Sequence, residues 1–361
     1  MSGVKVMDLG QAQQWQELLD AMPVPFRDIY FTPGYHRMHE VNGDGKAILF
    51  LYQDGTDTWF YPFLVRPITH VGQTPVPFFC QDIETVYGYT GPLSTTDARG
   101  FLTAAGDRFQ QYCRENHVAT EFVRFHPIIG NHFGFDTQDN SSIVGIRDHV
   151  YIDLGLSDSE LWKRAYSGTN RNMIRKARRL GVRIEYGSTA SDFEPFVQLY
   201  LTNMQRVDAE PYYYFSEAYF AHLRHLLDRS GVLLLAYLGD HVVGASVFLH
   251  GGRYAHYHLS ASDDRGREAA VTNLLVHHGI GWAREVGAEK MHLGGGITSG
   301  QNDSLLGFKA NFSPLRVKFN IGKGIHQAEA YRWLTDEWER QYPERASKYR
   351  HILQRYRLQL E

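Results

Sequence analysis

His256–Pro314 reads HYHLSASDDRGREAAVTNLLVHHGIGWAREVGAEKMHLGGGITSGQNDSLLGFKANFSP. It parses as a strand, a polar turn, an amphipathic helix, a second strand, a glycine-rich loop and a short Phe-Lys element. The helix is periodic: Val271, Leu274, Leu275, His278, Trp282 and Val286 recur at three- and four-residue steps. Gly287 follows, where a helix commonly stops in a left-handed cap. Lys290–Leu293 is short and opens into Gly294, Gly295 and Gly296. A strand that releases glycines beside a helix is where α/β proteins place ligands. The candidate site is therefore expected there.

Working outward, a similar order appears in the first half. Lys46–Gln53 and Thr58–Arg66 are aromatic and β-branched runs around Asp54-Gly55, a hairpin signal. Glu84–Tyr89 is expected as a third strand, Ala98–Glu115 as a helix and Val118–Phe125 as a closing strand. Downstream, Val232–Leu238 and His241–His250 flank Gly239-Asp240; Arg253–Ser260, a Glu268–Val286 helix and Lys290–Leu293 follow. Both halves run hairpin, third strand, helix, strand, which reads as a duplicated α/β unit, although mixed α/β domains can share such an order by chance. FTPGYHRMHEVNGDGK, before the first hairpin, reads as a polar, turn-rich connection.

The polar stretch Asn131–Arg147 is the natural boundary. The expected organisation is a first domain at 1–145, a second at 146–325 carrying the main site, and a helical tail at 326–361. In that tail Tyr331, Leu334 and Trp338 mark a packing face.

A chain of 361 residues with 43% hydrophobic and 14% aromatic content has material for real cores. Its net charge of -3 supplies no global field for DNA, so an anionic partner must meet a local patch. Cys80 and Cys113 lie far apart without C-x-x-C spacing, which fits a reducing compartment. No apolar run approaches the ~20 residues of a membrane helix, and the N-terminus lacks a signal-peptide core. The expectation is a cytoplasmic protein without a transmembrane segment; peripheral membrane contact stays open.

The local patch is Ser159–Gly181, where Lys163, Arg164, Arg171, Arg175, Lys176, Arg178 and Arg179 cluster. Arg171, Arg175, Arg178 and Arg179 share a helix face, with Ile174 and Ala177 on the buried side. Asn170 or Thr169 can cap this helix, leaving N–H groups suited to a phosphate. The face is either simply solvated or an anion site, since arginine forks match phosphate or a tRNA backbone.

NRNMIRKARRLGVRI, PYYYFSEAYFAHL, LLLAYLGDHVVGASVF, YHLSAS and GFKANFS, in that order, resemble the Fem-type transferases and the related acetyltransferase-like group of GNAT fold. FTPGYHRM, YGYTGPL and VRFHP extend the resemblance through the first half. It implies an α/β fold of two tandem GNAT-like domains, each a mixed sheet flanked by helices. The best-known members move an amino acid from aminoacyl-tRNA onto an amine of a peptidoglycan precursor, a cell-envelope activity. The family's Phe-Lys element falls on Phe308 and Lys309, its lysine being associated with the aminoacyl ester and the developing oxyanion. Phosphate-facing groups fall on Arg171, Arg175, Arg206, Tyr257 and Tyr214. The long coiled-coil hairpin that some members insert in the second domain is not recognisable here.

Acyl transfer to an amine needs a deprotonated nucleophile, positioned reactants and charge stabilisation at the tetrahedral oxygen. Lys309 can supply the last, supported by N–H groups of the loop Gly294, Gly295 and Gly296. Asp303 is a candidate base, or the amine arrives deprotonated. The alternative donor is acyl-CoA: Arg265, Gly266 and Arg267 stand where GNAT enzymes cradle pyrophosphate. Glu268 or Ala269 occupies the second glycine position of that loop, and an acidic group there repels phosphate. The co-substrate is thus aminoacyl-tRNA or acyl-CoA, with no tightly bound cofactor. The acceptor is a small-molecule or lipid-linked amine. A third reading is a non-catalytic relative that binds a nucleotide- or lipid-linked saccharide. His256 and His258 share a strand face and His277 and His278 follow on the helix, but no metal is expected, since H-E-x-x-H spacing is absent. No G-x-S-x-G elbow of a serine hydrolase appears either.

Overall fold

The computed structural model describes residues 2–135, 140–297 and 303–360. Two compact units divide the chain. One comprises Met1–Pro23, Tyr30–Ile146 and Phe319–Glu361; the other comprises Val24–Ile29 and Arg147–Lys318.

In the first unit β1 (Gly3–Asp8) precedes α1 (Ala12–Ala21) and α2 (Pro33–Asn42). The expected polar connection is thus largely helix, and its signals were present. Thr32 accepts the Tyr35 N–H, Pro33 opens the first turn, and Gly43 ends it at φ 92°. The hairpin forms as β2 (Lys46–Asp54) and β3 (Asp57–Pro67). A small ribbon, β4 (His70–Val71) with β5 (Thr74–Pro75), follows. The third strand is β6 (Gln81–Glu84), not Glu84–Tyr89. Beyond Glu84 the chain bends, because Gly88 (φ 117°) breaks the extended path and Tyr35 Oη binds the Tyr87 carbonyl. A short β7 (Leu93–Ser94), α3 (Arg99–Glu115) and β8 (Val118–Arg124) complete this stretch. Phe109 of α3 meets Phe50, Trp59, Tyr61 and Phe63 of the hairpin in the core.

The boundary stretch is partly strand: β9 (Ser141–Asp153) begins inside it, and residues 136–139 lie outside the described ones. The expected basic helix comes in pieces. They are α4 (Asp158–Glu160), a wide π-type turn (Leu161–Ala165), and α5 (Gly168–Arg179). Ser167, rather than Thr169 or Asn170, caps α5 by accepting the Asn170 N–H, while Ile174 and Ala177 are buried as expected. Then come β10 (Arg183–Gly187), α6 (Ala190–Arg206), α7 (Glu217–Ser230), β11 (Gly231–Leu238), β12 (His241–Gly251) and β13 (Tyr254–Ser262). The anticipated Glu268–Val286 helix is also split. Ala270, at φ 58°, separates α8 (Asp264–Glu268) from α9 (Val271–Glu285). After β14 (Lys290–Gly294) and α10 (Ser304–Ala310), β15 (Arg316–Ile325) leads into α11 (Ala328–Gln341) and α12 (Ala346–Tyr349). Leu334 and Trp338 of α11 are buried against Ile68, Val71 and Ala119.

The strand order of the first unit is β1-β2-β3-β6-β8-β15, and that of the second is β9-β14-β13-β12-β11-β10. Each is mixed in the same way. A hairpin and third strand pair antiparallel, the third strand pairs parallel with the strand after the helix, and the next pairing is antiparallel again. Among the described residues no helix is long and apolar enough to cross a membrane.

Candidate active site

The site begins where two strands part. β13 and β14 pair over three residues, Tyr254–His256 with Lys290–His292. β13 then continues to Ser262, while β14 ends at Gly294, which at φ 83° takes a backbone shape that side chains disfavour. The β14–β9 register shifts at the same place, between His292 and Gly294. Among the described residues the β13–β14 pairing goes no further than His256 and His292, and an edge where two strands part suits a ligand.

Among the described residues three side chains hold the glycine loop. Arg147 of β9 donates to the carbonyls of Gly296 (2.5 Å) and Ile297 (2.9 Å). Asp303 accepts from Ile297 N (2.7 Å) and, as the cap of α10, from Leu306 N (2.8 Å). Lys309, only 9% exposed, reaches from α10 to donate to the Gly295 carbonyl at 2.7 Å. Burial lowers its ammonium to about 8; Asp303 opposes the shift and Arg147 adds to it. Near neutral pH Lys309 is thus a cation in a poorly solvated place, where a positive charge acts strongly on an anion.

Behind the loop lies a file of buried polar side chains. His149 Nδ1 is 3.0 Å from His292 Nε2, the His292 and His256 rings stand 5.8 Å apart, and His256 Nε2 is 2.7 Å from Asp28 Oδ2. Sequence reasoning passed over His149, His292 and Asp28. The available signal was a lone histidine inside an apolar strand: His149 beside Val150, and His292 between Met291 and Leu293. His256 and His258 were expected on one face. A β-bulge pairs Leu259 and Tyr257 with adjacent Val247 and Phe248, so the alternation fails at His258. His258 meets Tyr219 of α7 instead.

The other candidates are distributed as follows. Phe308 is half-buried against Phe312, 5.4 Å between rings. Tyr257 is the first β13 residue beyond the pairing with β14, and burial raises its hydroxyl to about 12. Arg171 turns back to the carbonyls of Tyr166 (2.6 Å) and Trp162 (3.1 Å). Arg175 is exposed, with its guanidinium 5.4 Å from the Trp162 ring centre. The basic helix and the Phe-Lys helix meet at their ends, where Ser167 N and Oγ contact the Asn311 carbonyl (2.9 Å) and side chain (2.7 Å). Arg206 and Arg267 line one cavity of about 150 Å³ with Thr202, Asn203 and Ser262. Tyr214 and Arg265 are exposed.

The segment Arg265–Arg267 is helical rather than an open loop. Asp263 caps it, its carboxylate taking the Gly266 N–H at 2.7 Å. Arg267 is engaged by the Ser262 carbonyl (2.8 Å) and the Asp264 carboxylate. An amide and a guanidinium that could face a pyrophosphate are thus occupied by the chain's own acidic groups.

Comparison with known proteins fits this architecture. The family model for the GNAT acetyltransferase domain matches residues 164–302. No curated protein is matched by the sequence. Among solved structures, FemX is similar over 91% of this chain and 99% of its own, with a TM-score of 0.66 at 13% identity. The C-terminal domain of a putative lysylphosphatidylglycerol synthetase from Agrobacterium fabrum is similar over 92% of this chain and 96% of its own, with a TM-score of 0.55 at 14% identity. A conserved protein of unknown function from Bacteroides thetaiotaomicron is similar over 90% and 100%, with a TM-score of 0.56 at 8% identity. At these identities the likeness speaks for the fold. Residues 164–302 thus match a GNAT acetyltransferase domain, and the fold of the chain is similar to that of FemX.

Proposed function

We propose that the chain is an aminoacyltransferase. It moves an aminoacyl group from aminoacyl-tRNA onto an amine of a cell-envelope precursor, sugar or small peptide. The observation that carries the reading is the buried Lys309 ammonium on the Gly295 carbonyl, beside the edge where β13 and β14 part. The acceptor nitrogen attacks the ester carbonyl, and a C–N bond forms as negative charge gathers on the former carbonyl oxygen. Lys309 stabilises that charge. Collapse breaks the C–O bond, and the amine's proton leaves with the freed hydroxyl. Asp303 is committed to two backbone amides, which favours an amine that arrives deprotonated over Asp303 as base. Arg171, Arg175, Arg206, Tyr257 and Tyr214 are the groups proposed toward phosphate and substrate.

The donor preference rests on Asp263, whose carboxylate holds the Gly266 amide that a CoA pyrophosphate would need. The acyl-CoA reading keeps one support, the GNAT acetyltransferase match at residues 164–302. Purified protein incubated with charged tRNA or acyl-CoA and candidate amines, with products read by mass spectrometry, separates the two. Activity that survives RNase and vanishes without acyl-CoA overturns the tRNA reading. Ligand binding without product from either donor favours a non-catalytic relative.

A further inference from the structure

The buried histidines beneath the glycine loop have no part in the scheme above. His149, His292 and His256 are 3%, 2% and 0% exposed, and Asp28 is 1% exposed. Burying polar groups in a file of this kind is costly unless each is held by hydrogen bonds. A core needing only volume would use apolar residues at these strand positions, as Val150 and Met291 do beside them.

The contact that gives the file a purpose is with Gly295. A Cβ on that residue would lie 2.6 Å from His149 Nε2, so the main chain rests directly against the imidazole and only glycine fits. The carbonyl of the same residue receives the Lys309 ammonium at 2.7 Å. His292 fixes His149 from the other side at 3.0 Å, with the two rings inclined by 33°. The geometry therefore runs His292, His149, Gly295, Lys309, each link a contact.

We propose that His149, held by His292, is a positioning residue that braces Gly295 so that its carbonyl meets the Lys309 ammonium with no second charge beneath it. The imidazole suits this because it fills space, keeps a hydrogen bond to His292 and is uncharged. Burial lowers His149 to about 3, with the Lys309 and Arg147 charges adding to the effect, so it is neutral across the physiological range. Among the described residues, the charged or titratable groups that act on Lys309 are Asp303 at the start of α10 and Arg147 and His149 of β9. His292 of β14, His256 of β13 and Asp28 of the Val24–Ile29 segment follow along the file behind His149. Of these, His149 is the uncharged group that packs against Gly295, whereas Arg147 meets the same residue as a cation.

The test reads Lys309 itself and needs no substrate. The full chain is prepared with lysine carrying 13C at Cε, and the Lys309 resonance is assigned by its loss in Lys309→Arg. Its titration midpoint, expected near 8 in the native protein, is followed by NMR. His149→Glu sets a carboxylate beside the ammonium and should raise the midpoint by roughly one to three units. His149→Ala removes the brace, admits water under Gly295 and should move the midpoint upward toward the ordinary 10.5. His149→Gln, neutral and able to bond His292, should keep it within about half a unit of the native value. Thermal melting identifies the folded variants, and His149→Ala alone suffices if His149→Glu does not fold. A midpoint unchanged in folded His149→Ala overturns the proposal. The proposal deepens the reading of Lys309 as the acyl-site cation, so activity adds a separate reading: in His149→Ala, kcat should fall while KM changes little. If the native protein shows no transfer while the midpoints move as expected, the proposed function fails and the positioning role stands.

Discussion

The same juncture occurs in both units, and they finish it differently. In the first, β6 and β8 run parallel from Gln81–Val118 to Glu84–Phe122, and past Glu84 the gap is stitched shut. Thr85 N donates to the Phe122 carbonyl (3.1 Å), and Arg124 N donates to Thr85 Oγ1 (2.9 Å). Thr90 N reaches the Arg124 carbonyl at 2.9 Å. The Glu84 carboxylate pairs with both Arg66 and Arg124. Burial pushes the Glu84 carboxyl up, but the Arg124 and Arg66 charges outweigh it and hold it below its usual range. In the second unit β13 and β14 part after three residues, and glycines, Arg147 and Lys309 occupy the corresponding place. One strand order thus yields a closed sheet in one copy and an open edge with a buried cation in the other. The charged groups of the closed copy neutralise each other, whereas Lys309 rests on a carbonyl dipole.

The sharpest way to break this comparison is to remove the feature the first unit lacks. Lys309→Ala should depress turnover roughly a hundredfold or more, the loss of about 2.7–4 kcal/mol typical of one oxyanion donor. Steady-state kinetics on variant with an unchanged melting profile checks it. A loss below tenfold would take Lys309 out of the chemistry.

Next in size is pH. With the ammonium at about 8, kcat/KM should fall tenfold per pH unit above that value, and Lys309→Arg should remove the limb. The sign for stability is opposite. The folded value lies below the unfolded 10.5, so between about 8 and 10.5 the unfolded chain binds more protons. The cost of burying this cation is full below pH 8 and relieved as pH rises. A profile falling above pH 8, with no Lys309-dependent loss of fold over the same range, separates ionisation from unfolding.

Cutting the stitch of the first unit should have the converse signature. Arg124→Ala leaves Glu84 with one partner and should cost about 2 kcal/mol, in the range for a hydrogen bond to a charged group. Urea unfolding reads that loss, and turnover of the folded variant should stay within about twofold. A hundredfold drop in turnover would mean that the closed juncture takes part in the chemistry.

The contrast between the units also explains what could be read from the chain. Hairpins and helices announce themselves locally, by an apolar, aromatic run ending at Asp54-Gly55 in Lys46–Asp54 and by three- and four-residue steps in Val271–Glu285, so they fall close to expectation. Single residues that redirect the backbone were harder. Ala270 splits a helix whose apolar period continues across it, and Gly88 turns a β-branched, aromatic stretch that propensity alone extends to Tyr89. Lys309 and the glycines were legible because short motifs carry them. The His149–His292 and His256–Asp28 contacts were not, because sequence separations of 143 and 228 residues are closed by strand register and the Val24–Ile29 segment.

The smallest effect concerns the helix that follows the third strand. In the first unit α3 starts at Ala98 without a side-chain cap, whereas in the second Asp263 caps α8 through the Gly266 amide. Asp263→Ala should therefore cost about 1 kcal/mol of stability, the usual value of an N-cap. The same change frees the Gly266 N–H and removes a negative charge from the start of α8. Binding of acyl-CoA, measured by calorimetry, should strengthen in this variant while use of aminoacyl-tRNA is retained. If the native protein already binds acyl-CoA tightly and Asp263→Ala leaves that binding unchanged, the carboxylate does not select the donor. The contrast between the two helix starts would then concern stability alone.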